Sequence, residues 1–183
     1  MSSRRSTRFE ALGEVTRYLG AVSLLMVAAI HAQQYYDAYF SAVPTIGRLF
    51  MLNIVGASAA ALILLAPIKL LGRRVGDPIL VLTALVGIGV AAGAFAALII
   101  SEYTPLFGFM ESGYRLAIEL SLLFEGLATL LLATYIATVA LQWRHPSRAD
   151  DTSQPRADVR SQLGAEARGR EIRPSTRGQQ KAA

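Results

Sequence analysis

The sequence predicts an all-α integral membrane protein: a four-helix bundle of antiparallel up-down topology, followed by a disordered C-terminal tail. Three observations lead there. Four long apolar blocks occupy most of the chain, nearly all basic residues fall on one side of them, and the composition changes sharply after Trp143. Of 183 residues, 53% are hydrophobic and 17% charged, the reverse of the balance that keeps a chain disordered. The apolar residues lie in continuous runs and not in the stripes of soluble amphipathic helices.

Each element has a local reason. Residues 1–17 carry Arg4, Arg5, Arg8 and Arg17 and read as a cytoplasmic N-terminal segment. The first span is expected at about 18–36 and is continuously apolar from Leu19 to Ile30. The second, about 47–71, has only Asn53 and Ser58 as polar interior residues, and Pro67 is expected to bend its last turn. The third, about 79–101, contains no charge; the fourth, about 116–143, carries Glu119 and Glu125. All reach the roughly 20 residues that cross a ~30 Å hydrocarbon core, where only helices or closed barrels satisfy their backbone. The connections are short, which makes neighbouring helices antiparallel. Gly72, Gly76 and Pro78 mark a tight turn at 72–78.

All lysines and arginines except Arg48 and Arg115 precede the first span, lie from the last turn of the second span (Lys69) to the start of the third, or follow the fourth. The positive-inside rule then puts both termini in the cytoplasm of a cell-membrane protein. Residues 144–183 are rich in Arg, Asp, Ser, Gln, Gly and Pro and lack aromatics, so they read as a disordered basic tail. That tail is either an inert solvated extension or an electrostatic contact with anionic lipid or a partner. A signal-peptide cut after Ala32 would need a small residue where Ile30 stands, so the first helix is expected to remain. The net charge of +5 flanks apolar blocks, which points to lipid-bilayer topology and away from nucleic acid.

The absence of cysteine excludes disulfide scaffolds, thiol catalysis, zinc ribbons and iron–sulfur clusters. The two histidines, His31 and His145, stand on opposite sides of the predicted bilayer, which excludes bis-histidine haem within one chain. No phosphate-binding loop, His-Glu-x-x-His or nucleophile elbow is present.

Polar residues inside the spans are the remaining candidates, because ionisable groups there cost about 2.5–3.5 kcal/mol on insertion scales. With a rise of ~1.5 Å per residue, His31 lies roughly 21 Å from Arg17, and Glu125 roughly 27 Å from Trp143. Asn53 enters from the opposite face soon after Arg48. His31, Asn53 and Glu125 are therefore expected in one layer of the outer leaflet, with Arg48 and Glu119 just above. The layer reads either as interhelical hydrogen bonding, worth about 0.6–2 kcal/mol per bond, or as a polar pocket for a quinone, haem or metal. Glu119 also stands four residues from Arg115, the spacing of a helical ion pair. Tyr35, Tyr36, Tyr39, Phe40, Tyr103, Phe107, Phe109 and Tyr114 gather in the outer segments, as an interfacial aromatic belt or a lid over the polar layer.

Small residues set a further expectation. Gly56, Ala57 and Ser58 mark the second span, and Gly89, Gly93 and Ala97 repeat at intervals of four on the third. That spacing predicts a helix-packing face, within the monomer or in an oligomer.

The stretch His31 to Asn53, HAQQYYDAYFSAVPTIGRLFMLN, resembles a segment of uncharacterised small four-helix integral membrane proteins of high-GC Gram-positive bacteria. There a histidine ends the first helix and a Pro-Thr-Ile-Gly-x-Leu-Phe run opens the second. The matching residues are His31, Pro44, Thr45, Ile46, Gly47, Leu49, Phe50 and Asn53, and Phe107 to Glu111 is similar as well. The resemblance covers the membrane region without the tail; it implies four helices and no activity. On sequence alone the chain is expected to be a non-enzymatic membrane component that packs with itself or a larger membrane complex, with a redox or ligand-binding protein as the alternative.

Overall fold

The structure is a computed structural model that describes residues 2–38, 40–107 and 116–144. These residues form four helices: α1 Ser2–Asp37, α2 Pro44–Leu65, α3 Arg73–Tyr103 and α4 Leu116–Arg144. Each contains a segment long and apolar enough to cross a membrane: Phe9–Asp37, Pro44–Leu65, Arg74–Tyr103 and Leu116–Arg144. The tail, and the loop carrying Arg115, Phe109 and Tyr114, lie outside the described residues, as does Tyr39.

The helix ends depart from the apolar blocks for identifiable reasons. α1 starts at Ser2 because nothing in the charged segment before Tyr18 breaks a helix, and its exposed backbone can close its own hydrogen bonds. α2 opens on Pro44, whose missing N–H is unneeded in a first turn. It stops at Leu65, where Pro67 forces the preceding Ala66 into extended backbone (φ −65°, ψ 149°). A short 3-10 turn, Ile68–Leu71, follows, so the expected continuation of the second helix to Leu71 is a separate element. Only Gly72, at φ +83°, breaks the helical path before α3 begins at Arg73. The expected turn over 72–78 is thus mostly the first part of α3, with Pro78 inside the helix.

α1 packs between α4 and α2, α3 closes the ring on the far side, and α1 barely meets α3. In its most apolar window 56% of α1 is buried, against 28% for each of the others, which makes α1 the central strut. Leu24, Val27, Leu64, Leu80, Ala84 and Leu132 form the shared core. Large apolar side chains such as Leu52, Leu62, Leu82 and Leu130 point outward, as lipid requires. Hydroxyls inside the helices are satisfied locally: Ser23, Thr83, Thr129 and Thr134 each donate to the carbonyl four residues earlier.

The close approach between helices occurs at Gly13 and Gly20 on α1 and at Gly87 on α3, and not at Gly89 or Gly93 of the small-residue repeat. A Cβ on Gly20 would stand 2.6 Å from Leu132 Cδ2, and one on Gly13 would stand 2.9 Å from Thr138 Oγ1. Glycine at these two positions lets α1 lie directly against α4.

Candidate functional site

Toward the end of the bundle that holds the α1–α2 connection, the four helices part around a cavity of about 460 Å³. Its wall is largely apolar, with His31 and Gln34 from α1, Asn53 from α2, Ser101 from α3, and Ser121 and Glu125 from α4 as polar contributions. Leu52 and Val86 line it while remaining 66% and 50% exposed, so it opens sideways between α2 and α3.

Three of the predicted residues meet here. His31, Asn53 and Glu125 are all buried and all line the cavity. His31 Nε2 stands 3.6 Å from Glu125 Oε1, beyond ordinary hydrogen-bond length. His31 Nδ1 donates to the Val27 carbonyl at 3.0 Å, which fixes the ring. Phe50 packs on the imidazole at 5.1 Å between centroids and stacks on Phe40 at 4.9 Å. Those contacts tie the α1–α2 corner to the histidine. Ser121 Oγ donates to Glu125 Oε1 at 2.9 Å. Glu125 Oε2 and Asn53 Oδ1 are buried with no hydrogen-bond partner among the described residues.

Arg48 and Glu119 do not join the layer; both are exposed. Their depth is compatible with it, but their direction is not. At about 100° per residue, Arg48 points about 140° away from Asn53, and Glu119 about 120° away from Glu125. The Glu119–Arg115 pair falls outside the described residues because Arg115 does.

The face of Gly89, Gly93 and Ala97, expected to pack within the monomer or in an oligomer, meets no neighbouring helix among the described residues. A Cβ at Gly89 or Gly93 would meet no atom within 4 Å, and all three residues line the cavity. Spacing of four does put them on one face, but no helix among the described residues fills it.

Two groups escaped the sequence reading. Ser121 is the direct partner of Glu125, and its i,i+4 spacing on α4 was a usable signal. The second group lies at the end of the N-terminal segment, on α1. Arg17 is 2% exposed and pairs with Glu14 at 2.7 Å, while Lys69 ion-pairs with the other oxygen of Glu14. The Arg17 guanidinium also lies 4.4 Å from the Tyr18 ring centroid, and its Nε and Nη1 have no hydrogen-bond partner. The Glu14-x-x-Arg17 spacing was visible; that Arg17 would be buried against the bundle was not.

Among the described residues, no three His, Cys, Asp or Glu side chains cluster as a metal site would require. Fold and site together define an all-helical protein with four membrane-length apolar helices around a one-ended, carboxylate-bearing cavity. Comparison with known protein families, curated proteins and solved structures gives no match to this chain.

Proposed function

We propose that this chain is a multi-pass membrane protein that binds a small amphiphilic molecule in the cavity between its helices. The observation that carries this reading is the cavity itself: apolar, open sideways, and backed by buried polar atoms without partners. Apolar pockets with a few convergent polar groups are the usual form of ligand sites. Unpartnered buried polar atoms are costly in a fold that has no use for them.

In the same reading the bundle is antiparallel and sits in the cell membrane with both termini and a disordered tail in the cytoplasm. Support for the antiparallel arrangement comes from the α1–α4 seam, where Gly13, Gly20 and His31 meet Thr138, Leu132 and Glu125 in reverse order. Support for the orientation comes from the basic residues, and it places the cavity in the outer leaflet. The likeness to small four-helix membrane proteins of high-GC Gram-positive bacteria belongs to this reading as well. Haem and metal are poorly served: His31 Nε2 faces Glu125, and among the described residues no third His, Cys, Asp or Glu joins them.

A second reading, a component that packs with itself or a larger complex, draws on the corner between α2 and α3. There Leu70 and Leu71 are 86% and 62% exposed. One purification separates the two. The full chain is isolated in mild detergent, and its organic extract is compared by mass spectrometry with that of Gly93→Leu. A small molecule present in near-stoichiometric amount and missing from the variant supports the cavity reading. Identical extracts, with a stoichiometric protein partner in both, overturn it. Protease applied to intact cells leaves the tail whole if the orientation is right.

A further inference from the structure

The hydrogen bonds around His31 define what the cavity lacks. The Val27 carbonyl can only accept, so His31 Nδ1 carries the hydrogen that joins them. In the neutral ring, Nε2 is then a lone-pair acceptor. It faces Glu125 Oε1, which is also an acceptor when the carboxylate is ionised. Two acceptors thus confront each other without a hydrogen between them, and Oε2 of the same carboxylate has no partner either.

Among the described residues, the rest of the wall supplies no positive charge. His31 and Glu125 are the only titratable side chains among the described residues that line the cavity, and no described lysine or arginine does. Gln34 on α1, Asn53 on α2, Ser101 on α3 and Ser121 on α4 are the neutral polar groups around them. Arg48 and Glu119 are exposed and off the wall. One positive charge therefore completes the site. A proton shared between His31 and Glu125 makes it neutral, and so does a ligand cation beside an unprotonated pair. Both at once would leave an uncompensated charge in an apolar cavity, which is strongly unfavourable.

We propose that the cavity takes a lipophilic monocation, a primary or secondary ammonium on an apolar body, and that each cation entering displaces one proton from the His31–Glu125 pair. The inference rests on the cavity being a ligand site. The apolar body lies in the trough left open by Gly89 and Gly93, reached from the flank between Leu52 and Val86. The ammonium N–H donates to His31, the more exposed of the pair at 9%. Glu125, at 0%, supplies the compensating charge from behind it. Quinone carbonyls and anionic headgroups present acceptors or negative charge to a wall that already has both.

The test uses three probes that share one apolar body: pyrenebutylammonium, pyrenebutanol and pyrenebutyrate. Saturable binding to the full chain in mild detergent is measured by equilibrium dialysis at about pH 8 and about pH 5, the interval over which histidine ordinarily changes charge. The ammonium is expected to bind at least about tenfold tighter than the alcohol at the higher pH. The butyrate should be weakest, and the ammonium's advantage should shrink at the lower pH. Glu125→Gln should abolish that advantage while the alcohol still binds. In weakly buffered solution the unsubstituted protein should release about one proton per ammonium bound, a measurement that needs no variant. Equal affinity for ammonium and alcohol, tighter butyrate, or no proton release overturns the inference and leaves the cavity reading standing. Absence of saturable binding by all three overturns both.

Discussion

Replacing Gly89 and Gly93 by leucine should strengthen the fold and empty the site at the same time. A Cβ at either position meets nothing within 4 Å, whereas at Gly20 it would press on Leu132 Cδ2 at 2.6 Å. A Cβ therefore meets no steric cost at the first two positions, and the rest of the leucine would extend toward the cavity that both residues line. Glycine inside a helix is about 0.8–1 kcal/mol less favourable than alanine, and leucine is nearly as good as alanine. No further gain is expected from burying the leucine itself, because lipid tails are as apolar as the cavity wall. Each substitution should contribute about 0.5–1 kcal/mol, or roughly 2–4 °C of melting temperature per kcal/mol in a chain of this size. Thermal unfolding in detergent measures this, and the organic extract of the same samples shows whether the bound amphiphile has gone. A melting temperature lowered by either substitution, or a native oligomer converted to monomer, would refute the reasoning. Either result would mean that the Gly89–Gly93–Ala97 face packs against another helix after all.

The other expectations follow from buried contacts. Glu14→Ala leaves Arg17 buried without its carboxylate and should cost about 3–5 kcal/mol; Lys69→Ala removes only the half-exposed partner and should cost less than about 1 kcal/mol. Equal melting shifts for the two would contradict the burial of Arg17. Gly20→Ala should destabilise by about 1–3 kcal/mol through overpacking, with Leu132→Val recovering part of the loss; additive melting shifts in the double variant would count against direct contact. Glu125→Leu should fold better than Glu125→Ala, which opens a further void worth about 2–5 kcal/mol, yet both should lose pyrenebutylammonium binding; retention by either would exclude the carboxylate from the site.

The sequence disclosed depth and concealed direction. Lipid demands about 20 apolar residues per crossing, so the four spans were legible as composition. Counting residues from the charged ends put His31, Asn53 and Glu125 at one level, and these three do line one cavity. Counting along an axis says nothing of rotation about it, which is why Arg48 and Glu119 were placed with them and stand outside. The glycine repeat was half legible for a related reason. Its spacing fixes a shared face but not whether that face meets a helix or a void. Arg17 was read as a flank because charge ordinarily ends a span; the continuation of α1 to Ser2 instead draws it against the bundle.

The pairing of α1 with α4 through Gly13 and Gly20 has a mechanical consequence. At that end the α1 backbone lies directly against side chains of α4, and Glu14 ties α1 to Lys69 beyond α2; at the other, the helices part around the cavity. Stiffness is therefore graded along the bundle, as in a clothes-peg whose spring lies at one end and whose jaws lie at the other. A modest splaying of α2 from α3 can widen the cavity mouth while the α1–α4 seam stays shut, so a guest can enter and leave without loosening the part of the fold that keeps the helices together.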